Sequence, residues 1–60
     1  MFRIGTRVRM PSGETGVVIT VVRGRGGAVW EYDIRCDTDH RVVACQPQYV
    51  ERAESGEVDW

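Results

Sequence analysis

Sixty residues, 42% of them apolar, with a net charge of −1, make one small domain; at that size folding removes only about 60% of the unfolded chain's surface from water, so the core is small and stability marginal. Two cysteines and one histidine cannot fill the four positions of a structural zinc site unless carboxylates or a second chain contribute, and the longest uncharged apolar run, residues 17–22, is far too short to cross a bilayer. There is no lysine, and the arginines divide unevenly: residues 1–30 hold five against the single acid Glu14 (+4), residues 31–60 hold three against eight acids (−5), a split that a small sheet can interleave or separate into two faces.

Residues 1–5 form a short lead in which Phe2 and Ile4 are placed to close one end of a core. No apolar segment follows the charge there, so no signal peptide is visible and a soluble, cytoplasmic protein is expected. Thr6-Arg7-Val8-Arg9-Met10 alternates, which predicts a first strand with Thr6, Val8 and Met10 on one face and two arginines on the other. Pro11-Ser12-Gly13 cannot continue it, since proline lacks the donor and glycine admits a positive φ. Val17-Val18-Ile19-Thr20-Val21-Val22 is β-branched and apolar at both parities. Either both faces are covered, or the strand bends and its inward face switches partway along. The bend is the better account, because sixty residues cannot cover both faces of a sheet unless another subunit does so. Arg23-Gly24-Arg25-Gly26-Gly27 then ends the strand as an exposed, doubly cationic loop.

Residues 28–46 form the clearest unit, two strands around a polar turn. Trp30, Tyr32, Ile34 and Cys36 alternate with Glu31, Asp33, Arg35 and Asp37, the pattern of a strand packed on one side and wet on the other. Asp37-Thr38-Asp39-His40 is a run of turn formers, and Arg41-Val42-Val43-Ala44-Cys45 is the return strand. With that turn Cys36 faces Arg41 and Cys45 faces Tyr32, which puts the sulfurs on one face but about 13 Å apart along the hairpin, too far for a disulfide. Two buried free thiols suit a reducing compartment. Pro47 suits the first position of a single helical turn, and Val50-Glu51-Arg52-Ala53 completes the strands. The expected fold is all-β: a five-stranded small barrel over residues 1–53 with one short helical turn before the last strand. Residues 54–60 are an acidic tail carrying Trp60.

Over residues 5–53 this order of five short strands, glycine turn, loop and one-turn helix resembles a Src-homology-3-like (SH3-like) small barrel. Gly13-Glu14-Thr15-Gly16-Val17-Val18, with Val21 beyond it, is similar to the glycine turn and strand of KOW and Tudor-type modules. Asp39-His40-Arg41-Val42-Val43 and Pro47-Gln48-Tyr49-Val50-Glu51 are similar to later strands of that superfamily. Gly5-Thr6-Arg7-Val8-Arg9 with Ser12-Gly13, and Pro47 with Val50-Glu51-Arg52, is similar to the plasmid-encoded type II dihydrofolate reductases, homotetramers of such barrels around a central pore. That family's activity rests on Val-Gln-Ile-Tyr before the proline and on a lysine after the first strand. Here those positions hold Val43-Ala44-Cys45-Gln46 and Met10, so the groups that bind folate and nicotinamide are missing and the resemblance implies fold and assembly rather than reduction.

No catalytic residue, cofactor or metal site is assigned. His40 reads as a solvated turn residue, because alternation turns its neighbour Cys36 inward and leaves it no nucleophile. Glu31, Asp33, Asp37 and Asp39 lack the glycine-centred loop and late bidentate glutamate of a calcium site. The 23–27 loop lacks the Lys-Ser/Thr and following helix of a phosphate loop. Peptide-binding members of the resembled superfamily use aromatic grooves between two long loops; Trp30 and Tyr32 share a face that predicts core, and Tyr49 beside Pro47 is the candidate exposed contact. The expected function is a non-catalytic module that binds a protein partner or itself, of the kind carried by phages and other mobile genetic elements. Its candidate binding surface is Arg7, Arg9, Arg23, Arg25 and Tyr49, and its candidate self-association contacts are Val18 and Val22. The alternatives are a KOW-like nucleic-acid contact, if those four arginines converge, against which the acidic net charge counts, and a tetrameric type II dihydrofolate reductase-like oxidoreductase, against which the missing motif counts. No membrane partner is expected.

Overall fold

The computed structural model describes residues 2–53 of the chain. Five strands, β1 (Arg7–Arg9), β2 (Thr15–Arg23), β3 (Val29–Cys36), β4 (Val42–Cys45) and β5 (Glu51–Arg52), form one antiparallel sheet in the order β4-β3-β2-β1-β5. Single 3-10 turns occupy Arg25–Gly27 and Pro47–Tyr49, and the described residues contain no α-helix. The all-β class, the five strands and the helical turn before the last of them are therefore as expected, and the architecture is compatible with a small β-barrel. No helix among the described residues is long and apolar enough to cross a membrane. The acidic tail and Trp60 lie outside the described residues.

Alternation builds the core. Val8 of β1 and Met10 just beyond it pack with Val18 of β2, Tyr32, Ile34 and Cys36 of β3, and Val50 before β5, all of them buried; Ala53, after β5, is also buried. Phe2 closes an end as anticipated. Its backbone N–H donates to Tyr32 Oη at 3.0 Å, its ring meets the Tyr32 ring edge-on with centroids 5.6 Å apart, and the Arg52 guanidinium lies 5.6 Å from its ring centre. Ile4, expected to share that role, is instead exposed: the turn that binds Thr6 N–H to the Arg3 carbonyl carries it away from the core.

Two register shifts shape the sheet. In β2, Val18 pairs with Ile34 and Thr20 with Asp33, so Ile19 is an extra residue. Inward positions then pass from Gly16 and Val18 to Val21, opposite Tyr32. This is the anticipated bend, and it explains a strand apolar at both parities. In β3 the surplus lies on the other strand: Val22 pairs with Glu31 and Arg23 with Val29, leaving Trp30 as the extra residue. Parity flips there, Val29 packs against the core, and Trp30 is 66% exposed. The expectation that Trp30 joins Tyr32 and Ile34 in the interior is thus corrected, because strict alternation does not survive a bulge.

The hairpin has the expected register. Cys45 pairs with Tyr32, Cys36 N–H donates to the Arg41 carbonyl at 2.8 Å, and both thiols are free. At the start of β2, Gly16 is buried, and a Cβ there would run into the Arg35 carbonyl oxygen and the Ile34 Cγ2 atom. Backbone cannot yield as a side-chain tip can. Gly16→Ala is therefore expected to destabilise the fold by about 1–3 kcal/mol, read as a melting temperature lowered by about 4–8 °C per kcal/mol for a domain of this size; an unchanged melting temperature would show that β2 and β3 are not so closely apposed.

Candidate functional site

The bulge that turns Trp30 outward also builds a groove. Its walls are Val29 and Trp30 at the start of β3 and Gln46, Pro47 and Gln48 at the 3-10 turn, and it is a shallow, open depression of about 680 Å³. The indole is backed by glycine, since a Cβ at Gly24 would collide with Trp30 Nε1; the ring can come this close to the 23–28 loop only because residue 24 has no side chain. That loop is held by Gly24 N–H donating to the Ala28 carbonyl at 2.7 Å and by Arg23 Nη1 donating to the Gly27 carbonyl at 3.0 Å.

The opposite wall is equally local in origin. Proline pre-sets φ for the first helical position and needs no donor there. The turn is closed by Tyr49 N–H to the Gln46 carbonyl (3.0 Å) and Val50 N–H to the Pro47 carbonyl (3.2 Å), and the buried Val50 side chain ties it to the core. Gln48 Nε2 donates to Gln46 Oε1 at 3.1 Å, which sets two amides along one rim. Tyr49, the predicted aromatic contact, is 58% exposed on this turn.

The four candidate arginines stand in two places. Arg7 and Arg9 project from the outer face of β1 and have carboxylate partners. Arg7 Nη2 meets Asp37 Oδ2 at 2.7 Å, an oxygen that also accepts from Thr15 Oγ1 at 2.7 Å, and Arg9 Nη1 lies 3.9 Å from Glu51 Oε2. Arg23 and Arg25 sit at the far end of β2. Arg7 pairs with Val17, so Arg23 is six residues further along β2, about 20 Å at a strand's rise. Val18 lies in the core with none of its surface exposed, so it has nothing to offer a second copy, whereas Val22 is half-buried on the outer face opposite Glu31. Among the positions matched to the reductases, Met10 is a core side chain, Ala44 and Gln46 are exposed, and Val43 and Cys45 are half-buried.

At the 37–40 turn, His40 takes a left-handed conformation (φ 60°) and its side chain is exposed. The acids beside it are engaged by cations and backbone. The Arg7 and Thr15 hydrogen bonds hold the Asp37 carboxyl below its usual range. Asp39 is held low by the Arg41 backbone N–H, 3.1 Å from Oδ1, and by the Arg41 charge. Arg41 is pushed up chiefly by Asp39 and also reaches Glu14 Oε1 at 3.3 Å. Burial, helped by Cys36, raises the Cys45 thiol, the opposite of an activated nucleophile.

The fold and surface therefore define a small antiparallel β domain bearing an open aromatic–proline groove. Comparison of the chain with protein-family models, with curated proteins and with solved structures gives no match. Of the groove's two walls, the Gln46–Gln48 turn is legible from its proline, and the candidate contact Tyr49 follows that turn without lining the groove, while Trp30 lies on the opposite side from the one alternation predicts. A signal for it exists: Ala28, Val29 and Trp30 are apolar at both parities, the same mark that betrays the bend in β2.

Depressed carboxyl pKa values give stability that is fully present above the unfolded value of about 3.9 and is lost as pH falls through the folded one. Asp37 and Asp39 are thus expected to add to acid destabilisation below about pH 4. The exposed Arg7–Asp37 pair is worth less than about 1 kcal/mol, so Asp37→Asn should lower stability slightly at pH 7 and flatten the acid limb in pH-dependent urea titrations. An unaltered acid limb would mean that the pair contributes nothing.

Proposed function

We propose that this chain is a non-catalytic binding module that holds an extended, proline-containing segment of another protein in the groove between Trp30 and Pro47. The observation that carries the reading is the outward Trp30. Burying a large apolar side chain stabilises a fold by about 1.5–3 kcal/mol, and a sixty-residue domain has little stability to spare. Here a bulge and a glycine at position 24 set the indole on the surface instead. Tryptophan is among the residues most enriched at binding hot spots. An aromatic–proline trough with amide donors on its rim suits a polyproline-II segment, which is pre-extended and leaves its carbonyls free to accept.

A second reading, self-association, is favoured by one observation. Both sheet edges are strands, but β5 is two residues long and charged (Glu51, Arg52), whereas β4 is four uncharged residues with Val42 54% exposed. An uncharged edge with no proline in it is a template for strand addition by a second copy.

Two measurements separate these readings. Titration of the labelled protein with proline-rich decapeptides, followed by amide NMR, should shift residues 29–30 and 46–49 together. Trp30→Ala should weaken that binding by about 30-fold, the equivalent of about 2 kcal/mol, with stability changed by less than about 0.5 kcal/mol. Scattered shifts, or undiminished binding by the variant, would sink the groove. Sedimentation should detect a dimer that Val42→Lys converts to monomer if β4 pairs between copies; a concentration-independent monomer removes that reading.

A further inference from the structure

A second groove carries chemistry that the Trp30 site does not use. It is lined by Phe2, Arg3, Ile4, Thr20, Val21 and Arg23 and encloses about 820 Å³. Phe2, Ile4 and Val21 give it an apolar lining, Arg3 and Arg23 bring two guanidinium-bearing side chains to it, and a third, Arg52, lies over Phe2. Its matching ligand is an extended segment that joins carboxylates to a large apolar side chain.

The sequence contains one such segment. Residues 54–60, Glu54-Ser55-Gly56-Glu57-Val58-Asp59-Trp60, hold three acids, no base, and a tryptophan. The fold delivers the chain to the right place. β5 runs antiparallel to β1, with Glu51 opposite Arg9 and Arg52 opposite Val8, and Ala53 N–H donates to the Arg7 carbonyl at 3.1 Å. At Ala53 the backbone therefore points toward the residues that precede β1, which are the groove's own Arg3 and Ile4. From the level of Arg7 to Ile4 is three residues, about 10 Å, and seven residues can span about 23 Å. Reach is ample.

We propose that this groove is the docking site for the chain's own residues 54–60, with Trp60 on the apolar floor of Phe2, Ile4 and Val21 and the acids along Arg3, Arg23 and Arg52. The segment then covers apolar surface that the small core leaves open, and its negative charge meets the positive half of the sequence. The proposal does not rest on reading Trp30 as a peptide site, although Arg23 borders this groove and also donates to the Gly27 carbonyl of the loop behind Trp30.

The test uses the full chain. Trp30→Phe replaces an exposed ring and leaves Trp60 as the only tryptophan, so its fluorescence reports on that residue alone. The expected result is emission to the blue of that in urea and reduced quenching by acrylamide, both unchanged on dilution. Combined Arg3→Glu and Arg23→Glu substitutions, or 1 M salt, where the screening length falls to about 3 Å, should shift emission toward the urea value. Emission equal to that in urea, docking that appears only at high concentration and so joins two copies, or indifference to the charge reversals would each overturn the proposal. In the unsubstituted chain, NMR should show cross-relaxation between the Trp60 indole and the methyls of Ile4 and Val21; its absence in a folded sample would also overturn it.

Discussion

The structure depends on β2 serving two halves of one interior. A domain this small has few side chains to bury, and the four largest that are fully enclosed are Ile34, Val8, Val18 and Cys36. A flat strand would expose alternate valines of the 17–22 run to no purpose. The extra residue at Ile19 lets Val18 face Ile34 and Val21 face Tyr32 from the same strand, so one nine-residue strand lines the core along its whole length. Strands must curl for such a sheet to enclose anything, and a bulge supplies both the local twist and the change of face. The close approach at Gly16 is part of the same solution: there β2 comes so near the Arg35 carbonyl and the Ile34 side chain that only a residue without a Cβ fits.

What the sequence made legible follows from the same physics. Period-two alternation located β1 and β3, and the turn formers at residues 37–40 made Arg41–Cys45 the return strand and fixed the hairpin register closely enough to place Cys45 opposite Tyr32. Alternation is a local rule, though, and a bulge is settled by how two strands fit across the sheet. For β2 the double parity of the valines announced the switch. For β3 the polar–apolar rhythm from Glu31 onward was so regular that its extension back to Trp30 looked secure, and there it failed. The groove was illegible for this reason: its main wall is a side chain on the unexpected face, and its other wall, Pro47 with its two glutamines, lies sixteen or more positions away in sequence.

The arginines illustrate a different limit. Counting charges by sequence half suggested two faces, but an antiparallel sheet returns the acidic half across the basic one. Asp37 comes back to Arg7, Glu51 to Arg9, and Glu14 meets Arg41. These exposed pairs hold the fold only weakly. Their larger effect is on recognition, because a guanidinium already facing a carboxylate offers a reduced field to a phosphate. Interleaving on the outer face of β1 is thus a physical argument against a nucleic-acid surface there, one that composition alone could not supply.

Where charge is interleaved, specificity must come from shape and from apolar anchors. In the proposed reading, an indole held against Gly24 has less side-chain freedom to lose when a ligand arrives. The facing wall is stiff for a related reason: the proline ring fixes φ, and Val50 pins the turn into the core. Both walls are thus pre-formed by residues that also shape the fold, Val29 through the bulge and Val50 through its burial. A domain with a marginal core keeps an exposed surface rigid at least cost when the same few contacts that keep it folded also hold that surface.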